Sequence, residues 1–123
     1  MSDVSAPASM DGRRILIVED EYIVAEDLRR ELVSQGAEIV GPAPTVSRAL
    51  ALLAGEAAID GAILDINLRG EMVFPVAEAL LAQSIPFLFS TGYDTQSLPP
   101  AYAEVPCCEK PFEARRCAEL LFR

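Results

Sequence analysis

The sequence predicts an α/β fold: a five-stranded parallel sheet in strand order 2-1-3-4-5, helices on both faces, and an irregular fourth helix. Three observations carry this. Apolar runs at Ile15–Val18, Ala62–Leu64, Phe87–Phe89 and Val105–Cys108 are separated by stretches with helical periodicity, the alternation of a parallel sheet covered on both sides. Each run ends on polar residues of a different kind: Glu19 and Asp20, Asp65, Ser90 and Thr91, Glu109 and Lys110. A chain of 123 residues with 51% hydrophobic content suits one domain with a single adequate core.

Taken in order, Met1–Gly12 is polar, small and proline-containing and reads as a frayed, disordered tail, leaving Arg13–Arg123 as the folded domain. After the first strand, Ala25, Leu28 and Leu32 mark an amphipathic helix. Glu38–Val40 is the second strand, and Val46, Ala49, Leu50 and Leu53 recur at helical spacing behind it. Ala62–Leu64 is the third strand, followed by a helical stripe of Val73, Val76, Ala77, Leu80 and Leu81. Phe87–Phe89 is the fourth. Thr95–Ala103 contains Pro99-Pro100 and supports only a short or irregular helix. Pro106 places the last strand at a sheet edge, because proline removes a donor that a central ladder needs; a flavodoxin-like order does the same. Ala114, Cys117, Ala118 and Leu121 give the closing helix. Turn signals fall at Gly36, Gly41-Pro42, Gly70 and Gly92.

Composition narrows the function classes. A net charge of −9, from 19 acidic and 10 basic residues, disfavours direct nucleic-acid binding, which needs a basic face to displace counterions. No 18-residue apolar run and no signal-like start are present, so a cytoplasmic protein with no membrane partner is expected. Cys107, Cys108 and Cys117 match neither a disulfide framework nor a zinc set, since no histidine completes one. They read as small buried hydrophobes in a reducing compartment.

If the runs are parallel strands, their polar ends share the carboxyl edge, where ligands of open α/β sheets bind. Asp65 lies at the centre, flanked by Glu19 and Asp20. Three close carboxylates repel one another, and a hard divalent ion such as Mg²⁺, which binds through one or two carboxylates, waters and a phosphate, answers that repulsion. Thr91 can hydrogen-bond a phosphoryl oxygen and Lys110 can neutralise another. The set suits phosphoryl transfer with Asp65 as the oxygen nucleophile. Each motif alone also has a structural reading: Glu19-Asp20-Glu21 as the acidic first turn of a helix, Asp65-Ile66-Asn67 and Thr91-Gly92 as turns, Lys110-Pro111 as the start of a helix.

Together, Glu19-Asp20, Asp65, Thr91-Gly92 and Lys110-Pro111 resemble the signature of response-regulator receiver domains of two-component systems, over Arg13–Arg123. The resemblance implies that Asp65 accepts phosphate from a histidine kinase. Asp20 and Asp65 would ligate Mg²⁺ directly, Glu19 through water, and Asn67 through its backbone carbonyl. Thr91 would be the switch hydroxyl, Lys110 would bind the phosphoryl group or the carboxylate, and Lys110-Pro111 would be a cis peptide. With no histidine the chain is not itself a phosphohistidine donor. With no output region after Arg123 it is expected to act by protein binding, as a signalling protein rather than an enzyme, and as a monomer or weak dimer. A dimer would associate through a surface containing Leu98, Tyr102 and Cys107.

Two departures shape the expected mechanism. Cys107 stands where receivers usually carry an aromatic three residues before the lysine. Instead, Pro86-Phe87-Leu88-Phe89-Ser90-Thr91-Gly92-Tyr93 looks like the Phe-Ala-Thr-Gly-Tyr motif of a single-domain subgroup, with Ser90 for alanine, similar to partners of HWE-type sensor histidine kinases of alphaproteobacteria. Asn67-Leu68-Arg69-Gly70-Glu71 fits that subgroup as well. Phosphorylation would draw Thr91 inward, swing Gly92-Tyr93 and change the order of Thr95–Ala103, with Tyr93 in partner selection and in shielding the acyl phosphate. An aspartate-nucleophile phosphatase would want a second Asp where Asn67 stands. A flavin phosphate would be repelled by Glu19-Asp20-Glu21. The stronger rival is a receiver-fold adaptor that works without phosphorylation; the partner otherwise is a sensor histidine kinase or a phosphotransfer protein.

Overall fold

The computed structural model describes residues 9–55, 58–91, 98–109 and 113–122. In chain order these form β1 (Arg14–Val18), α1 (Tyr22–Ser34), β2 (Glu38–Ala43), α2 (Val46–Gly55), β3 (Gly61–Asp65), β4 (Asn67–Leu68), β5 (Glu71–Met72), α3 (Phe74–Ala82), β6 (Phe87–Thr91), a 3₁₀ turn (Pro100–Tyr102), β7 (Cys107–Glu109) and α4 (Ala114–Phe122). The main sheet has the order β2-β1-β3-β6-β7, with every pairing parallel. Counting only its five strands, this is the 2-1-3-4-5 order that the sequence predicts.

The period of two along each strand builds two cores. Leu16, Val18, Ala62, Leu64, Phe87 and Phe89 face α2 and α3, where Val46, Ala49, Leu53, Val76, Ala77 and Leu80 are buried against them. Ile15, Ile17, Ile63 and Leu88 face the other way, onto Leu28 and Leu32 of α1 and Ala114, Cys117, Ala118 and Leu121 of α4. Leu81 departs from the expected stripe and is 54% exposed. At about 100° per residue it lies a quarter-turn beyond the face centred on Val73, Val76 and Leu80.

Several sequence expectations move. Residues 9–12 belong to the folded unit rather than to a frayed tail: Met10 is 2% exposed, Arg13 N donates to Met10 O at 2.9 Å, and Gly12 N donates to Gly36 O at 2.9 Å. One apolar side chain among small polar ones carries no periodicity, so its burial is invisible in the pattern. Gly41-Pro42 is not a turn between elements but part of β2, whose register with β1 shifts between Leu16 and Val18. There Gly41 has φ +97° and the Gly41-Pro42 peptide is cis. The cis peptide expected at Lys110-Pro111 lies outside the described residues.

β7 starts at Cys107 rather than Val105 and occupies the sheet edge, while the Pro106 carbonyl accepts Phe89 N at 2.9 Å. Among the described residues of the irregular segment, Pro100–Tyr102 form the 3₁₀ turn. Tyr102 is not a surface residue: it is 5% exposed, stacked on Phe74 at 5.2 Å and edge-on to Phe89 at 5.8 Å. Leu98 and Cys107 are half-buried against the same core. A contact surface for a second copy therefore cannot use the Tyr102 ring.

Candidate functional site

Register delivers the acidic residues to one place. Val18 pairs with Leu64, so the next residues, Glu19 and Asp65, leave adjacent strands side by side. Glu19 N is fixed by Ala43 O at 3.0 Å. Asp65 in turn pairs with Ser90, and Thr91 with Glu109. Glu19, Asp20 and Asp65 each present a carboxylate oxygen within 4.8 Å of the others. Helix α1 begins only at Tyr22, with no acidic residue in its first turn. Glu19 and Asp20 therefore stand before the helix rather than in its first turn, and Glu21 is its N-cap.

Glu19 is 4% exposed, and its Oε2 accepts Glu21 N at 3.0 Å. Asp20 Oδ2 accepts from Arg69 Nε at 3.1 Å. A cleft of about 250 Å³ runs from Glu19 and Asp20 past Tyr22, Ala25 and Glu26 to Pro42 and Pro44. The donor set fits a hard divalent cation: all three side chains offer oxygen, at mutual distances that one ion can bridge. Asn67 stands two residues beyond Asp65 at the start of β4. Its Oδ1 is committed to Gly70 N at 2.6 Å, which leaves the backbone carbonyl as the donor that the sequence reading assigned to it.

Thr91 closes β6. Tyr93, Lys110 and Pro111 lie outside the described residues, as do Gly92 and residues 95–97 of the Thr95–Ala103 segment. The sequence reading missed the functional placement of Arg69. It lies at the tip of an antiparallel hairpin, Asn67↔Met72 and Leu68↔Glu71, with positive φ at both Arg69 and Gly70. The Arg-Gly pair flanked by short extended stretches was the available signal. Glu71 Oε1 also accepts Val46 N at 3.3 Å, tying the hairpin to the start of α2.

Cys108 and Cys117 are buried as the sequence suggests, while Cys107 is half-buried. Cys107, Cys108 and Cys117 are free thiols. Burial pushes all three up, Cys117 to about 12, which disfavours the thiolate, the reactive form.

No protein-family model matches the chain, and no curated protein sequence matches it. Among solved structures, SdrG from Sphingomonas melonis Fr1 superposes with a TM-score of 0.75 at 39% identity, covering 91% of this chain and 98% of that one. The BeF3-activated conformation of SdrG, from Pseudomonas melonis Fr1, gives 0.68 and 41%, covering 88% and 95%. The response regulator PhyR from Brucella abortus gives 0.73 and 30%, covering 92% of this chain and 47% of PhyR, so the chain spans about half of that protein. The REC domain of Erythrobacter litoralis PhyR gives 0.75 and 29%, covering 88% of each. With its strand order, its acidic edge and a 39%-identical relative matched over nearly its whole length, this chain belongs to the family of response-regulator receiver domains.

Proposed function

We propose that the chain is the phosphoacceptor of a two-component pathway, taking a phosphoryl group onto Asp65 and signalling through protein contacts. One observation carries this reading: the strand register that sets the Glu19, Asp20 and Asp65 carboxylates within 4.8 Å of one another at the carboxyl edge. Mg²⁺ held by Glu19, Asp20 and Asp65 would neutralise phosphoryl oxygens. An Asp65 oxygen forms the new P–O bond as the P–N bond to the donor imidazole breaks, and the imidazole nitrogen takes up a proton. Thr91, at the end of the adjacent strand, and Lys110 are assigned to the remaining phosphoryl oxygens.

The activated form of SdrG supports this reading, because a fluoroberyllate is a tetrahedral stand-in for a phosphoryl group. The donor is a sensor histidine kinase, with the HWE type favoured by the Phe89-Ser90-Thr91-Gly92-Tyr93 motif, or a phosphotransfer protein. The chain is a cytoplasmic signalling protein rather than an enzyme with a separate substrate; no helix among the described residues is long and apolar enough to cross a membrane.

Intact mass after incubation with acetyl phosphate tests it. An adduct of about 80 Da is expected for the native chain with Mg²⁺, and none for Asp65→Asn or without Mg²⁺. No adduct in folded native protein, from acetyl phosphate or from a kinase, overturns the reading. It would leave the phosphorylation-independent adaptor, which Cys107 in the usual aromatic position favours.

A further inference from the structure

The β4–β5 hairpin holds a cation over the acidic edge. Arg69 and Gly70 form its two-residue tip at φ +55° and +93°, a turn whose twist matches the flanking strands. Positive φ is disfavoured for a residue with a Cβ, so the position of Arg69 is imposed by its surroundings. Those surroundings are on both sides of it. Asn67 Oδ1 accepts Gly70 N at 2.6 Å, Val73 N donates to Ile66 O at 3.0 Å, and Glu71 Oε1 accepts Val46 N at 3.3 Å. Held this way, Arg69 Nε donates to Asp20 Oδ2 at 3.1 Å, with the arginine side chain 79% and the aspartate side chain 11% exposed.

Asp20 is one of the three carboxylates that can hold a divalent ion. Two cations on one carboxylate repel each other, and the guanidinium has the advantage of a covalent tether while the ion has the advantage of two further carboxylates. We infer that Arg69 is a tethered competitor for the divalent ion: the Asp20–Arg69 pair and ion binding oppose each other, and the hairpin tip releases Asp20 when the ion is held. This inference rests on the reading of Glu19, Asp20 and Asp65 as an ion site. Because Arg69 is largely in water, the pair is weak enough to exchange and sets the ion affinity without blocking the site. The hairpin thereby becomes an element whose position reports occupancy of the site.

Calorimetric titration with Mg²⁺ of the native chain and of Arg69→Gln, together with the Arg69 Nε–H resonance followed through the native titration, tests this. Glutamine carries the same Cβ at φ +55°, so the turn cost is matched while the charge is removed. Arg69→Gln is expected to bind Mg²⁺ about two- to five-fold tighter, the range of exposed ion pairs. The native Nε–H signal is expected to shift or weaken in step with saturation. Equal or weaker binding by the variant overturns the inference, as does an Nε–H signal unmoved at saturation. Binding of Mg²⁺ by neither protein overturns the ion site itself, and the inference with it.

Discussion

At Cys117, burial in the core that α4 shares with α1 and the sheet is the main force that pushes the thiol up to about 12, and the neighbouring Cys108 adds to it. The consequence is a pH dependence of stability with a definite sign. The folded pKa lies above the ordinary value of 9.0, so the folded chain holds this proton more tightly than the unfolded chain. Its contribution is fully present below about 9 and is lost as pH rises toward about 12. Urea unfolding at a series of alkaline pH values should therefore show a shallower decline for Cys117→Ala than for the native chain. Equal slopes would mean that the thiol does not titrate differently in the two states. The same burial was legible in the sequence from the i, i+3, i+4 stripe of Ala114, Cys117 and Ala118. The ion pair of Arg69 with Asp20 was not, since 49 residues separate the partners and only the hairpin tip brings them together.

Among the elements, β2 carries the clearest constraint. A Cβ at Gly41 would lie 2.8 Å from Ala43 N and 3.0 Å from Ile17 O, both backbone atoms, and the residue has φ +97°. Gly41→Ala is expected to cost about 2–4 kcal/mol, combining the positive-φ penalty with backbone displacement. The shift would be felt at the acidic edge, because Ala43 O holds Glu19 N at 3.0 Å and Pro42 and Pro44 line the adjoining cleft. Chemical denaturation measures the loss; a change under about 0.5 kcal/mol, the range of unremarkable surface substitutions, would show that β2 relaxes around the methyl group. In the sequence Gly41-Pro42 reads as a turn, because local composition marks a break in regularity without telling a bulge from a reversal. Likewise Tyr102 looked like surface in a proline-rich segment. Its burial follows from Phe74 and Phe89, which lie 28 and 13 residues back in the chain.

Across the whole molecule, the clustering of the three carboxylates was legible because a parallel sheet converts position in sequence into position in space. Strands entering in the same direction with matched registers must deliver their next residues to one edge, so the pattern of the sequence alone brings Glu19, Asp20 and Asp65 together. The same edge concentrates negative charge in a chain already at −9, and folding must hold those carboxylates close. An ion that binds only the folded arrangement then stabilises it by mass action, about 2.7 kcal/mol at a hundred times its dissociation constant. For a domain of this size that corresponds to a rise in Tm of several degrees, on the order of 5–15 °C. Thermal unfolding with and without Mg²⁺, at matched ionic strength set by NaCl, separates site binding from screening. The native chain should gain stability from Mg²⁺ beyond what NaCl provides. Asp65→Asn should lose that gain while remaining folded, since it removes a charge from the crowded edge without emptying space in either core. A Mg²⁺-dependent rise of the same size in Asp65→Asn would mean that the ion acts elsewhere on the acidic surface, and that the three carboxylates do not form a common site.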